Sequence, residues 1–423
     1  MRRSYVLLGI VFWSGLLSGQ RISERKLLRQ IQNTPQLSDA FVGISIQKLN
    51  SNKTVTHLNE KGYMTPASNI KLITFLGAIQ TFKHIPALEY ALENEHTTHF
   101  RPTGYPLLFH PFYPDSILNH FFQDKTTWVY HPSNTKPTLL GSGWSWDDYG
   151  YYYAAPRSVF PIYGNSVSAV LSDSGLDLTP LFTAKVDSTI TNFERSRFEN
   201  KFGYNPQNWK RNDTLYRPFI PNDSLFINLL GKATNAKFSL SKQQDSLLWN
   251  PLYTDQEERL YKGLLHDSDN GIAEALLLMI ANQQLGIFKT EKAIEGLQHQ
   301  WSSWLPDPLE WVDGSGVSRY NMVTPRTLVA VLQKIHQELP WETIQTLFPQ
   351  SGVSGTLKAY KGLDGVYAKT GTLRHNHNLA GYWVSPKGTK YVFSIMVNHH
   401  TTSTIEIRQG ITDLILYFQK MLK

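Results

Sequence analysis

The sequence predicts an α/β fold of the α+β type, in which one antiparallel sheet is flanked by helices on both faces. Strand-like segments followed by helical ones occur near both chain ends, which indicates one sheet built from both ends. The middle of the chain, rich in Tyr, Trp, Pro, Asn and Asp, has a different texture and predicts a β-rich inserted region.

The N-terminal part begins with a predicted short helix over residues 22–31, ended by the Asn-Thr-Pro stretch at 33–35. Two strands are predicted over 41–46 and 54–58, because turn-forming residues lie between two apolar and β-branched runs. The apolar run 71–79 then predicts a buried helix.

The middle of the chain offers short strand-like pieces, of which residues 225–230 are an example, and no long amphipathic helix. Helical patterns return over 271–282 and 328–338. We find no internal repeat.

The C-terminal part has the sharpest pattern. Three consecutive strands are predicted over 364–373, 378–385 and 390–398, and apolar residues at helical spacing between Ile407 and Leu422 predict a last helix with one apolar face. We therefore predict one domain formed by residues 20–85 and 245–423, with residues 86–244 inserted as one or two subdomains.

Composition excludes several classes of function. The chain has 423 residues, enough for two or three domains, and its net charge of +7 is dispersed, which indicates a solvated surface and no nucleic-acid partner. It contains no cysteine, so disulfides, thiolate metal sites and a cysteine nucleophile are excluded. We expect no cofactor and no metal.

The N-terminus resembles a secretory signal over residues 1–19. Arg2 and Arg3 precede about 13 mostly apolar residues, and the small residues Ser18 and Gly19 follow. This stretch is shorter than the roughly 20 apolar residues that span a membrane, so we expect weak or no membrane association. The protein is predicted to be exported to a bacterial periplasm.

The first chemical motif is Ser68-Asn-Ile-Lys71, at the start of the predicted buried helix. Residues i and i+3 share a helix face, so the Lys71 amine can reach the Ser68 hydroxyl and act as its base. The Ser68 N–H at a helix start can also receive a developing oxyanion. Ser-x-x-Lys occurs five times in the chain, and this one stands out because an apolar helix follows it.

Two further motifs complete the set. Ser268-Asp269-Asn270 precedes an apolar helix, where these residue types also serve as N-caps. Lys369-Thr370-Gly371-Thr372 lies in a predicted strand, where Lys369 and Thr370 can bind a carboxylate and Gly371 can let a substrate lie against the backbone. A polar edge strand is the alternative for the third motif.

In this order the three motifs resemble those of penicillin-binding proteins and serine β-lactamases. The stretches 65–71, 267–274, 313–319 and 368–372 resemble more narrowly the class C low-molecular-mass penicillin-binding proteins, the D-Ala-D-Ala carboxypeptidase/endopeptidase family. The long gap between the first two motifs, and the pieces 146–148 and 153–156 within it, are also similar to that family. The resemblance covers essentially the whole mature chain and implies a β-lactamase/transpeptidase-like fold.

The resemblance also implies roles and partners. Ser68 would attack the penultimate D-Ala carbonyl of a peptidoglycan stem peptide and Lys71 would take its proton. Ser268 would relay a proton to the leaving amine, Asn270 would hold the substrate amide, and the N–H groups of Ser68 and Thr372 would form the oxyanion hole. β-Lactam antibiotics would acylate Ser68 as covalent inhibitors. The choice between carboxypeptidase and endopeptidase stays open.

Other functions remain alternatives. Tyr163-Gly164-Asn165 is a rival second motif of the type used by class C β-lactamases, and a non-catalytic peptidoglycan-binding protein would keep the same fold. The histidines of 375–377 and 399–400 suggest a metal site, although the His-Glu-x-x-His pattern is absent. The serines of 314–316 and 352–355 lack the Gly-x-Ser-x-Gly pattern of a Ser-His-Asp enzyme.

Three further residues are candidates for substrate recognition. Asp147 and Asp148 could bind the charged side chain of the stem-peptide diamino acid, or be solvated acids of a turn. Arg319, with the motif that starts at Asp313, could line the site from below, and turn geometry explains that motif equally well.

Overall fold

A computed structural model describes residues 22–51, 53–122, 127–241 and 247–422. The predicted signal segment 1–19 lies outside the described residues.

The helices are α1 (Glu24–Gln32), α2 (Ile70–Thr81), α3 (Ser116–Phe121), α4 (Asp223–Thr234), α5 (Glu257–Leu265), α6 (Asn270–Leu285), α7 (Thr290–Trp301), α8 (Pro325–Glu338), α9 (Trp341–Leu347) and α10 (Thr404–Met421). The strands are β1 (Phe41–Lys48), β2 (Lys53–Leu58), β3 (Pro86–Leu92), β4 (Thr97–Pro102), β5 (Thr127–Tyr130), β6 (Ser166–Ser172), β7 (Gly175–Thr179), β8 (Ala184–Val186), β9 (Phe193–Arg195), β10 (Phe202–Tyr204), β11 (Thr214–Pro218), β12 (Lys237–Leu240), β13 (Asn250–Tyr253), β14 (Val366–Leu373), β15 (Asn376–Val384) and β16 (Lys390–Asn398).

The central sheet is built from both ends of the chain. Its strand order is β14-β15-β16-β1-β2, and every neighbouring pair is antiparallel. The three C-terminal strands form two successive hairpins, and β1 closes against β16 across more than 300 residues of sequence. The predicted antiparallel sheet is therefore confirmed.

Alternate residues of the sheet face two layers of helices. Ile44 and Ile395 point into a core that they share with α1 and the apolar stripe of α10. Val392 and Met396 point the other way, into the core that contains α2, α6 and α8. Gly43 has no side chain because Met64 and Pro325 occupy that space. The prediction of helices on both faces is confirmed.

Helices α2 and α6 form the buried centre of the second layer. Every residue from Ile70 to Ala78 and from Ile272 to Ala281 is buried. Among the described residues no single helix is long and apolar enough to cross a membrane, and the bent pair α6 and α7 meets that test by length and composition alone.

The inserted region carries three further sheets. A five-stranded sheet has the order β12-β5-β4-β3-β13, and two three-stranded sheets have the orders β11-β6-β7 and β8-β10-β9. Strand β13, formed after the predicted end of the insertion at residue 244, pairs with β3 near its start. The exact domain boundaries stay a prediction.

One predicted strand is wrong. Residues 225–230 lie in α4, a helix of 12 residues. Asn222 caps its N-terminus by accepting a hydrogen bond from the Leu225 N–H, and Asn235 ends it in a left-handed conformation. Phe226, Leu229 and Leu230 are buried at helical spacing, so the caps and the burial together decide in favour of a helix.

We predict that Asn222→Ala lowers the free energy of unfolding by about 1 kcal/mol, because an N–H of the first turn of α4 loses its acceptor. Urea unfolding followed by circular dichroism measures this. Asn228→Ala is the matched control: Asn228 is exposed in the middle of α4, where alanine is the better helix former, and we expect no loss of stability. Equal losses in both variants would contradict the capping role.

Candidate active site

The candidate nucleophile lies in a tight turn directly before a buried helix. Residues Ala67–Asn69 form one 3₁₀ turn that runs into α2. Ala67 has a left-handed backbone, with φ of 49°, which is strained for a residue with a side chain. The turn leaves Ser68 half-buried at the cleft, whereas Lys71 is fully buried.

The Lys71 amine has three hydrogen-bond partners. Its Nζ lies 2.9 Å from Ser68 Oγ, 2.6 Å from Asn270 Oδ1 and 2.6 Å from the Ser315 carbonyl oxygen. The Asn270 amide is oriented by its other end, where Nδ2 donates to the Tyr153 carbonyl at 2.7 Å. Two of the three partners of Lys71 are therefore acceptors only, so a neutral amine would donate to them and keep its lone pair toward Ser68.

Burial favours the neutral amine. It lowers the pKa of Lys71 to about 8, although the carboxylates of Asp313, Asp269 and Glu274 act in the opposite direction. A lysine with this pKa is partly uncharged near neutral pH and can take a proton from a hydroxyl.

The Ser268 loop divides capping and chemistry between its residues. Asp269 is the N-cap of α6, and its carboxylate accepts a hydrogen bond from the Ile272 N–H at 2.9 Å. Ser268 has a left-handed backbone, with φ of 62°, and its Oγ accepts a hydrogen bond from Lys369 Nζ at 2.8 Å. The cap and the cleft contacts coexist because different residues make them.

Strand β14 brings a second buried lysine to the cleft. Lys369 Nζ also donates to the Thr370 carbonyl at 2.8 Å, and the Thr370 hydroxyl donates to Thr356 Oγ1 at 2.8 Å. Burial, and next the charge of Lys71, lower the pKa of Lys369 well below its usual value, while Asp267 opposes this. The Lys369 amine therefore forms a polar pocket beside Ser268.

The packing around Gly371 gives a reason for this glycine that the sequence did not predict. A Cβ there would lie 2.3 Å from the Pro66 carbonyl oxygen and 2.9 Å from the Asn69 nitrogen. The turn of Ser68 therefore occupies the space beside Gly371, and the contact of a substrate with this strand stays a prediction. Gly316, in a left-handed conformation, makes room for the same turn from the other side, because a Cβ there would lie 2.0 Å from the Ala67 carbonyl oxygen.

The structure thus brings the three motifs into one cleft. A hydroxyl, two buried amines, a second hydroxyl and an amide meet there. Such a group can activate a serine, attack a carbonyl and pass a proton to a leaving amine without a metal or cofactor.

A buried ion pair supports this group, and no residue pattern in the sequence predicted the pairing. Arg157 Nε donates to Glu274 Oε2 at 2.8 Å, and both side chains are almost completely buried. The other carboxylate oxygen accepts the Ser315 N–H at 2.8 Å, and the Ser315 carbonyl accepts from Lys71. Arg157 of the insertion is therefore connected to Lys71 through Glu274 and the backbone of one residue, Ser315.

The stretch from Asp313 to Arg319 is split between structure and surface. Asp313 is fully buried and accepts hydrogen bonds from the Gly316 N–H at 2.8 Å, the Ser318 N–H at 2.6 Å and Trp144 Nε1 at 2.8 Å. It organises the turn and does not face the cleft. Arg319 is exposed.

Asp147 and Asp148 lie in different environments. Asp147 accepts from the Ser145 hydroxyl at 2.6 Å, and this bond, with a smaller effect of Arg319, lowers the pKa of its carboxyl. Asp148 accepts from the Tyr153 hydroxyl at 2.8 Å. Since the Tyr153 carbonyl receives the Asn270 amide, Asp148 braces the loop that orients Asn270.

The rival motif has a structural place. Tyr163, Gly164 and Asn165 all have left-handed backbones. The Asn165 amide is buried and donates to the Pro156 carbonyl and to Ser158 Oγ, each at 2.9 Å. These bonds hold the turn together. The amide that contacts Lys71 is that of Asn270, not that of Asn165.

The histidines are engaged in separate hydrogen bonds. His375 Nδ1 donates to the His400 carbonyl at 2.9 Å, and His400 Nδ1 donates to the Thr402 carbonyl at 2.8 Å. His377 lies between Thr372 and Tyr360. In the part of the chain that the structure describes, no group of three His, Cys, Asp or Glu residues is arranged to hold a metal ion.

Comparisons with known proteins agree with this architecture. Over 196 residues the chain is 30% identical to the D-alanyl-D-alanine carboxypeptidase DacB of Haemophilus influenzae, covering 43% of this chain and 40% of that protein. It is 34% identical over 148 residues to a D-alanyl-D-alanine carboxypeptidase of an Actinomadura species, covering 32% of this chain and 27% of that protein. These alignments span less than half the length of either relative.

The whole fold has a counterpart among solved structures. The crystal structure of penicillin binding protein 4 from Haemophilus influenzae superimposes with a TM-score of 0.71 at 18% identity, covering 91% of this chain and 98% of that one. The predicted fold of a penicillin-binding protein is therefore confirmed. The family model of D-Ala-D-Ala carboxypeptidase 3 (S13) matches residues 24–95 and 250–416, which is more than half of the chain. The chain belongs to the D-Ala-D-Ala carboxypeptidase 3 (S13) family.

Proposed function

We propose that the protein is a serine-type D-Ala-D-Ala peptidase that acts on peptidoglycan stem peptides through an acyl-enzyme, as a carboxypeptidase, a DD-endopeptidase or both. The observation that carries the proposal is the Lys71 amine, held 2.9 Å from Ser68 Oγ while its other two bonds go to acceptors. Membership of the family and the names of the two curated relatives support the substrate class.

The reaction begins when Lys71 takes the Ser68 hydroxyl proton and the oxygen attacks the carbonyl of the penultimate D-Ala. The N–H groups of Ser68 and Thr372 stabilise the oxyanion. When the carbon–nitrogen bond breaks, Ser268 passes a proton to the leaving amine, and the acyl group stays on Ser68 as an ester. Water then hydrolyses this ester and regenerates the Ser68 hydroxyl.

Substrate binding uses the polar groups around the serine. Asn270 holds the amide of the stem peptide, and Lys369 and Thr370 bind the terminal carboxylate. A groove of about 660 Å³, lined by Ser268, Asn270 and several tyrosines, offers space for the rest of the stem. Penicillins, which carry a strained amide and a carboxylate, would acylate Ser68 as covalent inhibitors. Export to the periplasm through the predicted signal is part of this proposal.

A serine β-lactamase of the same fold is the alternative, and it requires rapid hydrolysis of the acyl-enzyme. A non-catalytic peptidoglycan-binding protein is the other alternative, and it has no use for a buried basic amine. Rapid nitrocefin turnover would favour the first, and absence of D-Ala release would favour the second.

We predict that Ser68→Ala abolishes labelling by a fluorescent penicillin and lowers D-Ala release from a pentapeptide by about 10⁴-fold or more, because the acyl-enzyme cannot form. Gel fluorescence and mass spectrometry measure the two activities. Cross-linked muropeptide dimers assayed in parallel separate carboxypeptidase from endopeptidase activity. Labelling retained by Ser68→Ala would disprove the assignment of the nucleophile.

We predict that acylation by penicillin rises with pH along one limb near pH 8, since Lys71 must lose its proton to act as the base. Glu274→Gln is expected to shift this limb to lower pH, because Glu274 raises the Lys71 pKa and its loss also leaves Arg157 unpaired. Both oxygens of the Glu274 side chain accept hydrogen bonds from N–H groups, which indicates an ionised carboxylate. The substitution therefore removes a negative charge near Lys71. The measurement is stopped-flow acylation from pH 5.5 to 10.

Asp307→Asn is the matched control for this shift. This variant removes the carboxylate of another ion pair, in which Asp307 accepts hydrogen bonds from Arg326 and from the Thr324 hydroxyl. The limb should not move in this variant. A limb that stays in place in Glu274→Gln would contradict the electrostatic connection to Lys71.

We also propose that Asp147 and Arg319, two exposed residues of opposite charge that affect each other, recognise the charged end of the stem-peptide diamino acid. Asp147→Asn should raise the KM for cross-linked muropeptides about 2- to 5-fold, and should not affect stems whose side-chain amine is acetylated. Asp148→Asn, which alters the contact to Tyr153, should not discriminate between the two substrates. Equal effects of Asp147→Asn on both substrates would remove Asp147 from recognition.

A further inference from the structure

A buried series of hydrogen-bonded side chains ends at Thr372, an exposed residue of β14. Thr372 Oγ1 lies 2.7 Å from His377 Nδ1, and His377 Nε2 lies 2.6 Å from the Tyr360 hydroxyl. His377 and Tyr360 are each 1% exposed, whereas Thr372 is exposed and directly follows Gly371, which packs against the Ser68 turn. Thr372 and His377 are directly opposite each other in the β14–β15 hairpin, so their side chains share one face of the sheet.

At the Tyr360 end of this series of side chains, the neighbouring polar group is a hydrogen-bond donor only. The guanidinium of Arg408, on α10, lies against the Tyr360 ring, with its Cζ 5.8 Å from the ring centroid. An arginine has no acceptor. Among the described residues, the remaining polar contact of the Tyr360 hydroxyl is His377 Nε2. The buried hydroxyl proton of Tyr360 therefore goes to His377 Nε2, since burying it without an acceptor would be costly.

This assignment fixes the histidine tautomer. With Nε2 as the acceptor, a neutral imidazole carries its proton on Nδ1 and donates to Thr372 Oγ1. Burial, and next the charges of Arg408 and His400, lower the pKa of His377 to about 4, which agrees with a neutral ring at physiological pH.

We propose that His377 and Tyr360 are positioning residues that fix the direction of the Thr372 hydroxyl. Because Thr372 Oγ1 already accepts from His377, its own proton is left for the cleft, where it is donated to an acceptor on the substrate. This acceptor is the terminal carboxylate of the stem peptide, and the proposal therefore rests on the proposed function. It adds a third donor beside Lys369 and Thr370.

The opposite tautomer would reverse the result. His377 Nδ1 would then accept the Thr372 proton, and the hydroxyl would present only lone pairs to the cleft. A carboxylate would meet an acceptor in place of a donor. Hydrogen bonds to charged groups contribute enough that losing one corresponds to about a 10- to 100-fold change in binding.

The first experiment observes the tautomer directly. The protein is labelled with ¹⁵N-histidine, and the His377 signals are assigned by their loss in His377→Gln. We expect two-bond correlations typical of the Nδ1–H tautomer at pH 7, and loss of that preference in Tyr360→Phe. The Nε2–H tautomer in the unmodified protein would overturn the proposal, and this result does not depend on any enzyme activity.

The second experiment tests the consequence for the substrate. A pentapeptide with a free C-terminal carboxylate is compared with the same peptide ending in an amide. Tyr360→Phe and Thr372→Val are each expected to raise the KM of the carboxylate peptide about 10-fold with little effect on the amide peptide. The double variant should add nothing, because both changes remove the same donor.

Tyr382→Phe is the matched control. Tyr382, on β15, also loses one buried hydrogen bond in this variant, the one to the Leu332 carbonyl at 2.7 Å. It should lower thermal stability to a similar degree and leave the ratio of the two KM values unchanged. If Tyr360→Phe changes both peptides equally, as Tyr382→Phe does, the positioning role is disproved. If the unmodified protein cleaves neither peptide, the proposed function fails. The tautomer measurement still decides whether His377 and Tyr360 fix the direction of the Thr372 hydroxyl.

Discussion

The burial of one amine, that of Lys71, is the constraint on which the site depends. A charged lysine without partners in a protein interior costs several kcal/mol, so a buried lysine must either be surrounded by acceptors or lose its proton. Lys71 does both, because it has an amide and a carbonyl as acceptors and a lowered pKa. The same partners that make burial tolerable direct the lone pair at Ser68. Fold and chemistry therefore require the same three contacts.

Crowded backbone around the serine follows from this constraint. Ala67 and Ser268 adopt left-handed conformations, and Gly316 and Gly371 are pressed against the Ser68 turn. Such conformations are unfavourable by about 1–3 kcal/mol each and persist only where the surroundings impose them. Here the Ser68 turn is packed between Gly371 of β14 on one side and Gly316 on the other, and these contacts impose its conformation. The strain is what allows three distant segments to meet within hydrogen-bond distance.

Much of the fold follows from local patterns. The three C-terminal strands and α10 were predictable because strand-like runs and helical spacing extend over eight or more residues in each. Helix α4 was not, because a run of six residues fits both periods and the decision came from the caps at Asn222 and Asn235. Positions of the three motifs in the chain were visible, since each has a fixed residue pattern.

The supporting residues of the site could not be found in this way. Arg157 and Glu274 are 117 positions apart, and nothing near Arg157 marks it as buried. His377 was interpreted as a candidate metal ligand. Its partner in the structure, Tyr360, lies in an irregular loop, and no sequence pattern places that loop beside His377. Pairings between distant segments depend on tertiary packing, which leaves no periodic trace in sequence.

These pairings define how the insertion relates to the catalytic domain. Tyr153 supplies the carbonyl that orients Asn270, Arg157 holds the carboxylate that orients Ser315, and Trp144 donates to Asp313 in the same loop. Each contact reaches a group that touches Lys71 or the turn beside it. An appended module would leave the Lys71 environment complete without it, whereas here two of the three Lys71 partners are braced from the insertion. The inserted region therefore helps to set the position of the base, through Asn270 and Ser315.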